Sequence, residues 1–482
     1  MHRRHKGFND GLNENRPYAS VPTASASRTF PCTPIMTANR RVAVIGAGAS
    51  GLSAARALRQ EGHSVAVFER AAGIGGTWIY STVVESDHLN TDPNRKIVHS
   101  SLYDSLRTNL PRESMGFFDY PFVAVAGEED CRRFPGHREV LRYLEDFARE
   151  SGLYGLIRFG VEVVRVEMEG EGRWAVVSRR VVGGGGGGAD ESEVFDGVVV
   201  CVGHYTEPRV AEIPGIDSWP GKQMHSHNYR VPEPFQGQVV VIIGSAASAT
   251  DISKDIAGLA KEVHIASRSA PGGTPMKDPA HANIFTHSMI VKAFADGTVL
   301  FQDGSSAFVD VIMHCTGYKY HFPFLKTNGI VNVDDNRVGP LYKHVFPPLL
   351  APYLSFIGLT TKIIPFPMFQ LQSKWIAGVL SGRIVLPTQE EMMEDVKNLY
   401  SEMQSAGWPK RYTHNIENYH FEYANWLAGE CGHPQVEEWR KLMYYANRKN
   451  RAAKPDRYRD EWDDDDLVKE AYEHFKNIFI ST

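Results

Sequence analysis

Residues Trp219 to Arg230, WPGKQMHSHNYR, carry several side chains that could do chemistry. His225 and His227 are spaced H-x-H, and Tyr229 and Arg230 follow them closely. Such a set could ligate a metal, transfer protons or serve a structural purpose, and the residue types alone favour none of these. On an extended segment, two histidines at this spacing point to opposite faces, so we predict no metal site here.

The string GAGASG, with Gly46, Gly48 and Gly51, lies between a predicted strand and a predicted helix. This context is typical of a dinucleotide-binding turn, in which the helix N-terminus offers free N–H groups to a pyrophosphate. Gly46 permits the tight turn, Gly48 lets the backbone approach the phosphates, and Gly51 lets the helix pack on the sheet. Glu69 follows 18 residues after Gly51, where its carboxylate can accept the ribose hydroxyls and would repel a 2′-phosphate. The site therefore suits FAD or NAD.

A second glycine string, GIGGTW, follows at residues 73–78. Glycines at this place resemble the second phosphate and flavin contact of FAD oxidoreductases. The string therefore favours FAD at the first site, with Gly76, Thr77 and Trp78 as further cofactor contacts.

A second nucleotide turn begins at Gly244, in the string GSAASA. Ala246 replaces the glycine that would face the phosphates, and Ala249 is a small residue at the packing position. Arg268 lies 24 residues after Gly244, where a guanidinium can pair with a 2′-phosphate. This second site is therefore predicted to bind NADPH, and a solvated arginine is the alternative interpretation. Three serines of the same region are predicted to assist, namely Ser245, Ser248 and Ser267.

The elements that would position these residues repeat along the chain. Residues 40–70 and 238–269 both have the order strand, glycine turn, helix, strand. Each module is closed by a buried strand with the pattern D-x-x-x-x-C-x-G, starting at Asp196 and at Asp310. We therefore predict an α/β fold with two dinucleotide-binding, Rossmann-like domains, in which the NADPH domain is inserted in the FAD domain. The predicted boundaries are 1–39 for a disordered or targeting extension, 40–212 and 308–482 for the FAD-binding domain, and 213–307 for the NADPH-binding domain.

Three other segments have clear patterns. Residues 137–152 are predicted to form a helix, and the alternating residues on both sides of a turn at 169–173 predict an antiparallel hairpin. The chain from about residue 388 has mostly helical patterns. The glycine run 183–188 has no side chains and is given no function.

The composition narrows the class of protein. The chain has 482 residues, with 42% hydrophobic and 23% charged residues, as in ordinary globular proteins. Its net charge of −5 lacks the basic excess of a nucleic-acid-binding protein. No apolar run reaches the roughly 18 residues of a membrane span, so no membrane anchor is expected. The location expected is cytoplasmic, with plastid targeting by residues 1–39 as the alternative.

An FAD site together with an NADPH site indicates hydride transfer to a flavin. The five cysteines contain no C-x-x-C pair, which disfavours a disulfide reductase. Oxygen, a quinone or another acceptor would then take the electrons.

The segment from Trp219 to Arg230 resembles the fingerprint of class B flavin monooxygenases, F-x-G-x-x-x-H-x-x-x-(F/Y). Trp219 replaces the leading phenylalanine, whereas Gly221, His225 and Tyr229 match. The resemblance runs from about residue 40 to the C-terminus and includes GAGASG, GGTW, HCTGY and TNLPRESMGFFDYPF (108–122). It is strongest to the plant flavin-containing monooxygenases of the glucosinolate S-oxygenase-like group.

The resemblance implies an FAD enzyme that uses NADPH and O₂ to oxygenate a small sulfur or nitrogen substrate. In that family NADPH reduces FAD, oxygen adds as a C4a-hydroperoxide, and a soft nucleophile attacks its distal oxygen. His225 and Tyr229 are implied to fix the linker and the inter-domain geometry, and not to act as acid or base. Asn109, in TNLP, corresponds to the family's active-site asparagine, whose amide can hydrogen-bond at the flavin–oxygen site. The alternative for Asn109 is an Asx turn before Pro111.

Three other functions remain open at this point. The first is the plant auxin-forming branch of the family, which oxygenates an indolic keto acid. The second is an NADPH oxidase that releases peroxide without oxygenating a substrate. The third is a nucleotide-binding redox sensor without turnover. The oligomeric state is also open, with a homodimer as one alternative.

Overall fold

The computed structural model describes residues 38–124, 127, 130–170, 172–181, 188–270 and 273–481. Nearly all of the predicted extension 1–39, and most of the glycine run 183–188, lie outside the described residues. The chain forms two compact units. Among the described residues, the larger unit comprises 38–79, Arg107–His204 and 320–481, and the smaller unit comprises Tyr80–Leu106 and Tyr205–Lys319.

The helices and strands alternate in the first two thirds of the chain, and helices dominate the last third. The helices are α1 (Ala49–Gln60), α2 (Arg112–Met115), α3 (His137–Glu150), α4 (Ala247–Ala257), α5 (Pro365–Ser381), α6 (Gln389–Ser405), α7 (His420–Cys431), α8 (Glu438–Ala453) and α9 (Asp465–Ser481). The first strands are β1 (Arg41–Ile45), β2 (Ser64–Glu69), β3 (Ile157–Phe159), β4 (Val161–Met168), β5 (Trp174–Arg180), β6 (Asp190–Phe195), β7 (Gly197–Val200), β8 (Glu207–Pro208), β9 (Lys222–His225), β10 (Val239–Ile243) and β11 (Glu262–Ala266). The remaining strands are β12 (Met276–Lys277), β13 (Ile284–His287), β14 (Ile290–Ala293), β15 (Thr298–Phe301), β16 (Ser306–Phe308), β17 (Val311–His314), β18 (Tyr318–Lys319), β19 (Leu325–Lys326), β20 (Asn332–Asp334), β21 (Arg337–Gly339) and β22 (Leu354–Phe356).

The larger unit is built on a parallel sheet with the order β22-β7-β1-β2-β3. The apolar residues of β1 are buried from Val42 to Ile45, as expected for a central strand covered on both faces. α1 packs against α5, and a hydrogen bond of 3.1 Å joins Ser53 Oγ to Ser373 Oγ. The predicted hairpin forms β4 and β5, within a second sheet of order β19-β4-β5-β6.

The smaller unit contains a six-stranded sheet with the order β12-β13-β11-β10-β17-β9. All its pairings are parallel except that of β12 with β13. α4 connects β10 to β11, and its apolar residues Ile252 and Ile256 are buried. The antiparallel β14, β15 and β16 complete the unit, together with the short pair β8 and β18.

The repeated sequence pattern D-x-x-x-x-C-x-G has the same structural purpose in both units. The carboxylates of Asp196 and Asp310 each accept a backbone N–H at 2.8 Å from the start of the unit's central strand. At the other end of the closing strand, a Cβ built on Gly46 would lie 2.6 Å from the Cys201 carbonyl oxygen. A Cβ on Gly244 would lie 2.5 Å from the equivalent carbonyl oxygen of Cys315. Both turns therefore require glycine because the closing strand passes so near. This repeat agrees with the predicted pair of Rossmann-like units.

Within the described ranges, no helix has the length and apolar character needed to cross a bilayer.

Candidate functional site

In the turn between β1 and α1, the middle glycine is the one that the protein's own packing does not require. Gly46 has a φ of +104°, a backbone conformation that favours glycine. A Cβ on Gly51 would lie 1.9 Å from the Gly46 carbonyl oxygen, so the fold leaves no room for a side chain there. Gly48 differs, because its φ of −75° and ψ of −175° are open to any residue. A Cβ there would meet the Gly76 Cα at 3.5 Å, the Gly76 N at 3.8 Å and the Gly75 carbonyl oxygen at 3.9 Å, all of which are ordinary van der Waals contacts. The space left by Gly48, at an uncapped helix N-terminus, therefore fits a phosphate group.

Glu69 ends β2 beside this turn and is buried. Its carboxylate accepts the N–H groups of Ala47 and Ala71, each at 2.7 Å. Burial raises the pKa of Glu69, and these hydrogen bonds oppose that rise. They also fix the carboxylate at the C-terminal end of the sheet, where a nucleotide ribose would be recognised.

The GGTW string lies against the same turn. The Gly75 N–H donates to the Ala47 carbonyl at 3.0 Å, and Gly76, Thr77 and Trp78 form a short 3₁₀ turn. Gly76 has a φ of +57°, and a Cβ there would lie 3.0 Å from the Gly48 Cα. The two glycine strings predicted to contact FAD are thus packed together in the larger unit.

The turn between β10 and α4 has the same backbone form, although it carries alanine. Ala246 has a φ of −85° and a ψ of −172°, close to the values of Gly48. The alanine is therefore unstrained, and the change from glycine adds only a methyl group. Ser245 and Ser248 lie on either side of Ala246, at the N-terminus of α4.

Ser267 and Arg268 follow β11 directly. The buried Ser267 hydroxyl bonds to the hydroxyls of Ser245 at 3.0 Å and Ser269 at 2.9 Å. Arg268 is exposed, and in the part of the chain that the structure describes no carboxylate pairs with it. Hydroxyl donors and a free guanidinium at one end of a parallel sheet form a suitable receptor for a phosphate monoester.

The fingerprint residues Trp219 and Gly221 form a packing pair. A Cβ on Gly221 would lie 2.3 Å from the Trp219 ring and 2.8 Å from the Asp310 carbonyl oxygen. The Trp219 indole is buried and donates to the Gly297 carbonyl at 3.2 Å. Gly221 is therefore required by close packing, since its φ lies outside the left-handed region.

His225 is completely buried at the end of β9. Its Nδ1 accepts the His227 N–H at 3.0 Å, so the proton must sit on Nε2, which donates to the Gly317 carbonyl at 3.1 Å. Burial and the neighbouring histidines lower the pKa of His225 to about 3. Because both ring nitrogens are used, neither can serve as a proton shuttle or a metal ligand in this state.

The prediction of one extended segment through both histidines was wrong. The chain turns into a 3₁₀ helix at Ser226–Asn228, and His227 is as deeply buried as His225. Both rings pack on Tyr318, with centroids 5.1 and 6.0 Å from its ring. The histidine ring that accepts a backbone N–H is what starts this turn.

Tyr229, the last fingerprint residue, donates to the Asp255 carboxylate of α4. Its ring is buried against Tyr103, with a centroid separation of 5.5 Å. Burial and Asp255 raise the pKa of Tyr229. Its hydroxyl therefore stays protonated and serves as a fixed hydrogen-bond donor.

The sequence analysis did not predict the partners of two further groups of this unit. Glu85 is fully buried, with His227 Nε2 3.3 Å and Arg95 Nε 2.7 Å from its carboxylate. Burial pushes the pKa of Glu85 upward, but His227 and other hydrogen bonds outweigh it and lower the pKa to about 2. The second group is Arg230, which is buried and, within the described residues, donates its hydrogen bonds to backbone carbonyls. Its acceptors are Ser81, Val83, Ser100, His227 and Tyr229. The loop-rich stretch 80–106 has no periodicity that could have predicted these partners.

Asn109 is exposed, whereas its neighbours in the loop before α2 of the larger unit, Thr108 and Leu110, are buried or half-buried. Its backbone carbonyl accepts a hydrogen bond of 2.9 Å from Asn447 Nδ2. The Thr108 hydroxyl, at 2.9 Å from the Leu110 carbonyl, makes the local side-chain bond of this loop. Among the described residues, the Asn109 side chain has no such bond, so it is available to a ligand.

Comparison with known proteins shows the family to which the chain belongs. Residues 39–274 and 280–436 match the family described as flavin-binding monooxygenase-like. The chain belongs to this family. It is 58% identical over 443 residues to "Flavin-containing monooxygenase FMO GS-OX-like 3" of Arabidopsis thaliana, covering 91% of this chain and 98% of the relative.

Comparison with solved structures supports the same family. S-allyl-L-cysteine S-oxygenase from Allium sativum is 63% identical, with a TM-score of 0.89 over 92% of this chain and 100% of that chain. Cyclohexanone monooxygenase from Rhodococcus sp. Phi1, bound to NADP⁺, is 15% identical with a TM-score of 0.55, covering 82% of this chain and 97% of that chain, and supports the fold alone. The predicted fold class, the resemblance and the predicted cofactors are confirmed. The protein is a flavin monooxygenase that uses FAD and NADPH with O₂.

Proposed function

We propose that this monooxygenase is an S-oxygenase that converts a small thioether into its sulfoxide. The observation that carries the proposal is the 63% identity to S-allyl-L-cysteine S-oxygenase over the whole of that chain. The overall reaction consumes NADPH, H⁺, O₂ and thioether and yields NADP⁺, water and sulfoxide. One oxygen atom enters the product and the other leaves as water. The auxin-type, oxidase and sensor alternatives are not favoured.

We propose that the larger unit holds FAD. Gly48 leaves space for the pyrophosphate, and the N-terminus of α1 directs N–H groups to it. Glu69 would accept the ribose hydroxyls, because its carboxylate is fixed at the end of β2. Gly76, Thr77 and Trp78 would line the cofactor, since they pack on the same turn. When bound, FAD supplies the electron transfer and oxygen activation, for which protein side chains have no equivalent.

We propose that the smaller unit holds NADPH. The N-terminus of α4 with Ser245 and Ser248 would receive the pyrophosphate, and Ser267 with Arg268 would receive the 2′-phosphate. Gly221, His225 and Tyr229 would maintain the shape of this unit. Gly221 is closely packed, and the side chains of His225 and Tyr229 are buried and engaged in internal bonds, so they do not reach a substrate.

We propose Asn109 as the side chain that orients the oxygen-transfer site. Its amide makes no bond within the described protein and can donate to an oxygen atom or accept from a flavin N–H. Positioning of this kind raises the rate because the reacting groups are held near their transition-state geometry.

The test is oxygenation of S-allyl-L-cysteine by the purified FAD enzyme with NADPH and ¹⁸O₂. We expect one sulfoxide that carries one ¹⁸O for each NADPH consumed, measured by mass spectrometry and by absorbance at the NADPH band. The matched control is the all-carbon analogue, in which CH₂ replaces the sulfur atom. It should yield hydrogen peroxide and no sulfoxide, since it lacks the nucleophilic sulfur atom; its amino group is the same in both compounds.

Two results would overturn the proposal. Stoichiometric peroxide with every thioether supplied would leave an oxidase, and faster oxygenation of tertiary amines than of thioethers would leave an N-oxygenase.

The remaining predictions concern assembly and location. The net charge of −5 supports a function without nucleic acid. A homodimer is tested by sedimentation velocity. A cytoplasmic or plastid location is tested by imaging the full chain, and the chain without residues 1–39, as fluorescent fusions.

A further inference from the structure

Two backbone carbonyls next to the Asn109 side chain are held by the C-terminal part of the larger unit. Arg459 Nε donates to the Thr108 carbonyl, and Asn447 Nδ2 donates to the Asn109 carbonyl, both at 2.9 Å. Arg107 adds an ion pair of 2.9 Å with Asp460. Side chains of α8 and of the turn after it therefore form hydrogen bonds to the loop that carries Asn109, although more than 300 residues separate them in the chain.

The loop is held by other hydrogen bonds on both sides of Asn109. The Thr108 N–H donates to the Pro135 carbonyl at 2.9 Å, which fixes the residue before. Pro111 begins the short helix α2, which fixes the residues after. Among the described residues, the bond from Asn447 is the one hydrogen bond made by Asn109 itself. The Thr108 hydroxyl holds the next carbonyl, that of Leu110, at 2.9 Å, whereas the carbonyl of the peptide between Asn109 and Leu110 is held by Asn447.

The environment of Asn447 argues against a simple packing role. Its side chain is buried within α8, and in the described part of the chain its Oδ1 has no hydrogen-bond donor. A buried amide oxygen without a donor is unfavourable, and an apolar residue of similar volume would avoid that penalty. The bond from Nδ2 to the Asn109 carbonyl is the compensating interaction. It also determines which way the amide points, because the opposite orientation would bring two oxygens together.

We propose that Asn447 is a positioning residue for oxygen transfer, which acts by fixing the backbone of Asn109. This inference rests on the proposed function, because it assumes that the Asn109 amide orients the reacting oxygen. Without the Asn447 bond, rotation of the peptide after Asn109 moves its side chain, and misplacement by about 1 Å is enough to reduce the rate of a positioned reaction. Oxygen activated on the cofactor would then leave more often as peroxide.

The first test is Asn447→Ala in the FAD enzyme. We expect the ratio of sulfoxide to NADPH consumed to fall roughly three- to tenfold, the effect of about one lost hydrogen bond. KM for NADPH should stay unchanged, because the smaller unit is untouched. Hydrogen exchange of the peptide that covers Thr108–Leu110 should rise. Asn447→Gln, which restores an amide donor, should recover part of the coupling.

Asn425→Ala is the matched control. Asn425 Oδ1 accepts the Val436 N–H at 2.9 Å, so this variant also removes one asparagine-to-backbone bond from a helix of the same unit. It should lower the unfolding midpoint similarly and leave the coupling ratio unchanged. If Asn447→Ala fails to fold, Asn447→Ser replaces it, since its short hydroxyl cannot reach the Asn109 carbonyl.

A double-mutant cycle separates positioning from general damage. If Asn447 acts through Asn109, then Asn109→Ala alone and Asn109→Ala/Asn447→Ala together should have the same coupling ratio. Additive losses would overturn the inference, as would equal uncoupling by Asn425→Ala. A wild-type enzyme that makes no sulfoxide refutes the proposed function instead, and increased exchange at Thr108–Leu110 in Asn447→Ala would still establish the structural link.

Discussion

The three glycines of the first nucleotide turn have different physical reasons. Gly46 and Gly51 are required by the protein's own backbone, which leaves no room for a Cβ. Gly48 has ordinary φ and ψ values, and a Cβ there would make only ordinary contacts of 3.5 Å or more with the protein, so a bound phosphate is a better reason for its glycine than the fold. In this motif, Gly46 and Gly51 are thus needed for the fold, whereas we propose that Gly48 is needed for cofactor binding. Substitutions can distinguish the two effects.

We predict that Gly48→Ala lowers the affinity for FAD by roughly tenfold or more, since an added methyl would displace a phosphate contact worth about 1.4 kcal/mol. The unfolding midpoint of the FAD-free protein should not change. Fluorescence titration of the FAD-free protein with FAD measures the affinity, and differential scanning fluorimetry measures the midpoint. Gly51→Ala is the control and should fail to fold stably. Equal affinity in Gly48→Ala would contradict our placement of the pyrophosphate.

The second residue-scale prediction concerns cofactor choice. Arg268→Ala should raise KM for NADPH roughly ten- to hundredfold, because a charge-assisted bond is worth about 1.5–3 kcal/mol. KM for NADH should stay the same, since NADH has no 2′-phosphate. Steady-state kinetics with both cofactors measure this difference. A parallel loss with NADPH and NADH would remove Arg268 from the phosphate site.

Sequence and structure agree best for elements whose patterns are local. Apolar runs and glycine spacing predicted β1, α1, β10 and α4, because each depends on neighbours within a few residues. Arg230 behaves differently, since Ser81 and Ser100 are 149 and 130 residues away in the chain. An arginine that binds carbonyls leaves no motif in those segments. The partner of Asn109, supplied by α8, was unpredictable for the same reason.

Arg230 connects three chain segments of the smaller unit at one point. Its guanidinium is buried and satisfied entirely by carbonyls, and burial lowers its pKa. The planar fork of five N–H donors suits several acceptors at once, which lysine cannot reproduce. The function of the element that follows β9 is therefore to hold residues 81–100 against the sheet.

We predict that Arg230→Met destabilises the smaller unit by about 3 kcal/mol or more, because the carbonyls of the buried Ser100, His227 and Tyr229 lose a donor at about 1–3 kcal/mol each. Hydrogen exchange should increase across residues 81–100, and the unfolding midpoint should fall. Arg268→Ala is the matched control, since its exposed arginine has no ion pair among the described residues. An unchanged unfolding midpoint in Arg230→Met would contradict the proposal that Arg230 stabilises this unit.

Five buried or half-buried histidines in the described part of the chain have a pKa that burial lowers. Burial lowers the pKa to about 3 for His225 and His344, and to about 4 for His204, His314 and His420. In the unfolded chain each would titrate near 6.5. Below that pH these histidines bind protons in the unfolded state but not in the folded state. The free energy of unfolding therefore decreases as the pH falls from about 6.5 toward the pKa values of the folded state.

We therefore predict a plateau of thermal stability above about pH 7 and a progressive decline below pH 6.5. Each histidine contributes a slope of about 1.4 kcal/mol per pH unit while it is protonated only in the unfolded chain. Glu85, whose pKa is lowered to about 2, adds a further loss below about pH 4.5, because its carboxylate must stay charged in the folded state. The measurement is the midpoint of urea unfolding at each pH from 8 to 4, which should decrease as the pH falls below 6.5.

His225→Asn assigns part of that slope to one residue. The asparagine Oδ1 can replace Nδ1 as acceptor of the His227 N–H, but it does not titrate. The variant is expected to be less stable at pH 8, because the bond to the Gly317 carbonyl is lost. Its stability should nevertheless fall less steeply than that of the wild type between pH 6.5 and pH 4, by about 1.4 kcal/mol per pH unit. Parallel pH curves for the two proteins would mean that His225 is already charged in the fold, which is incompatible with an Nδ1 that accepts a backbone N–H.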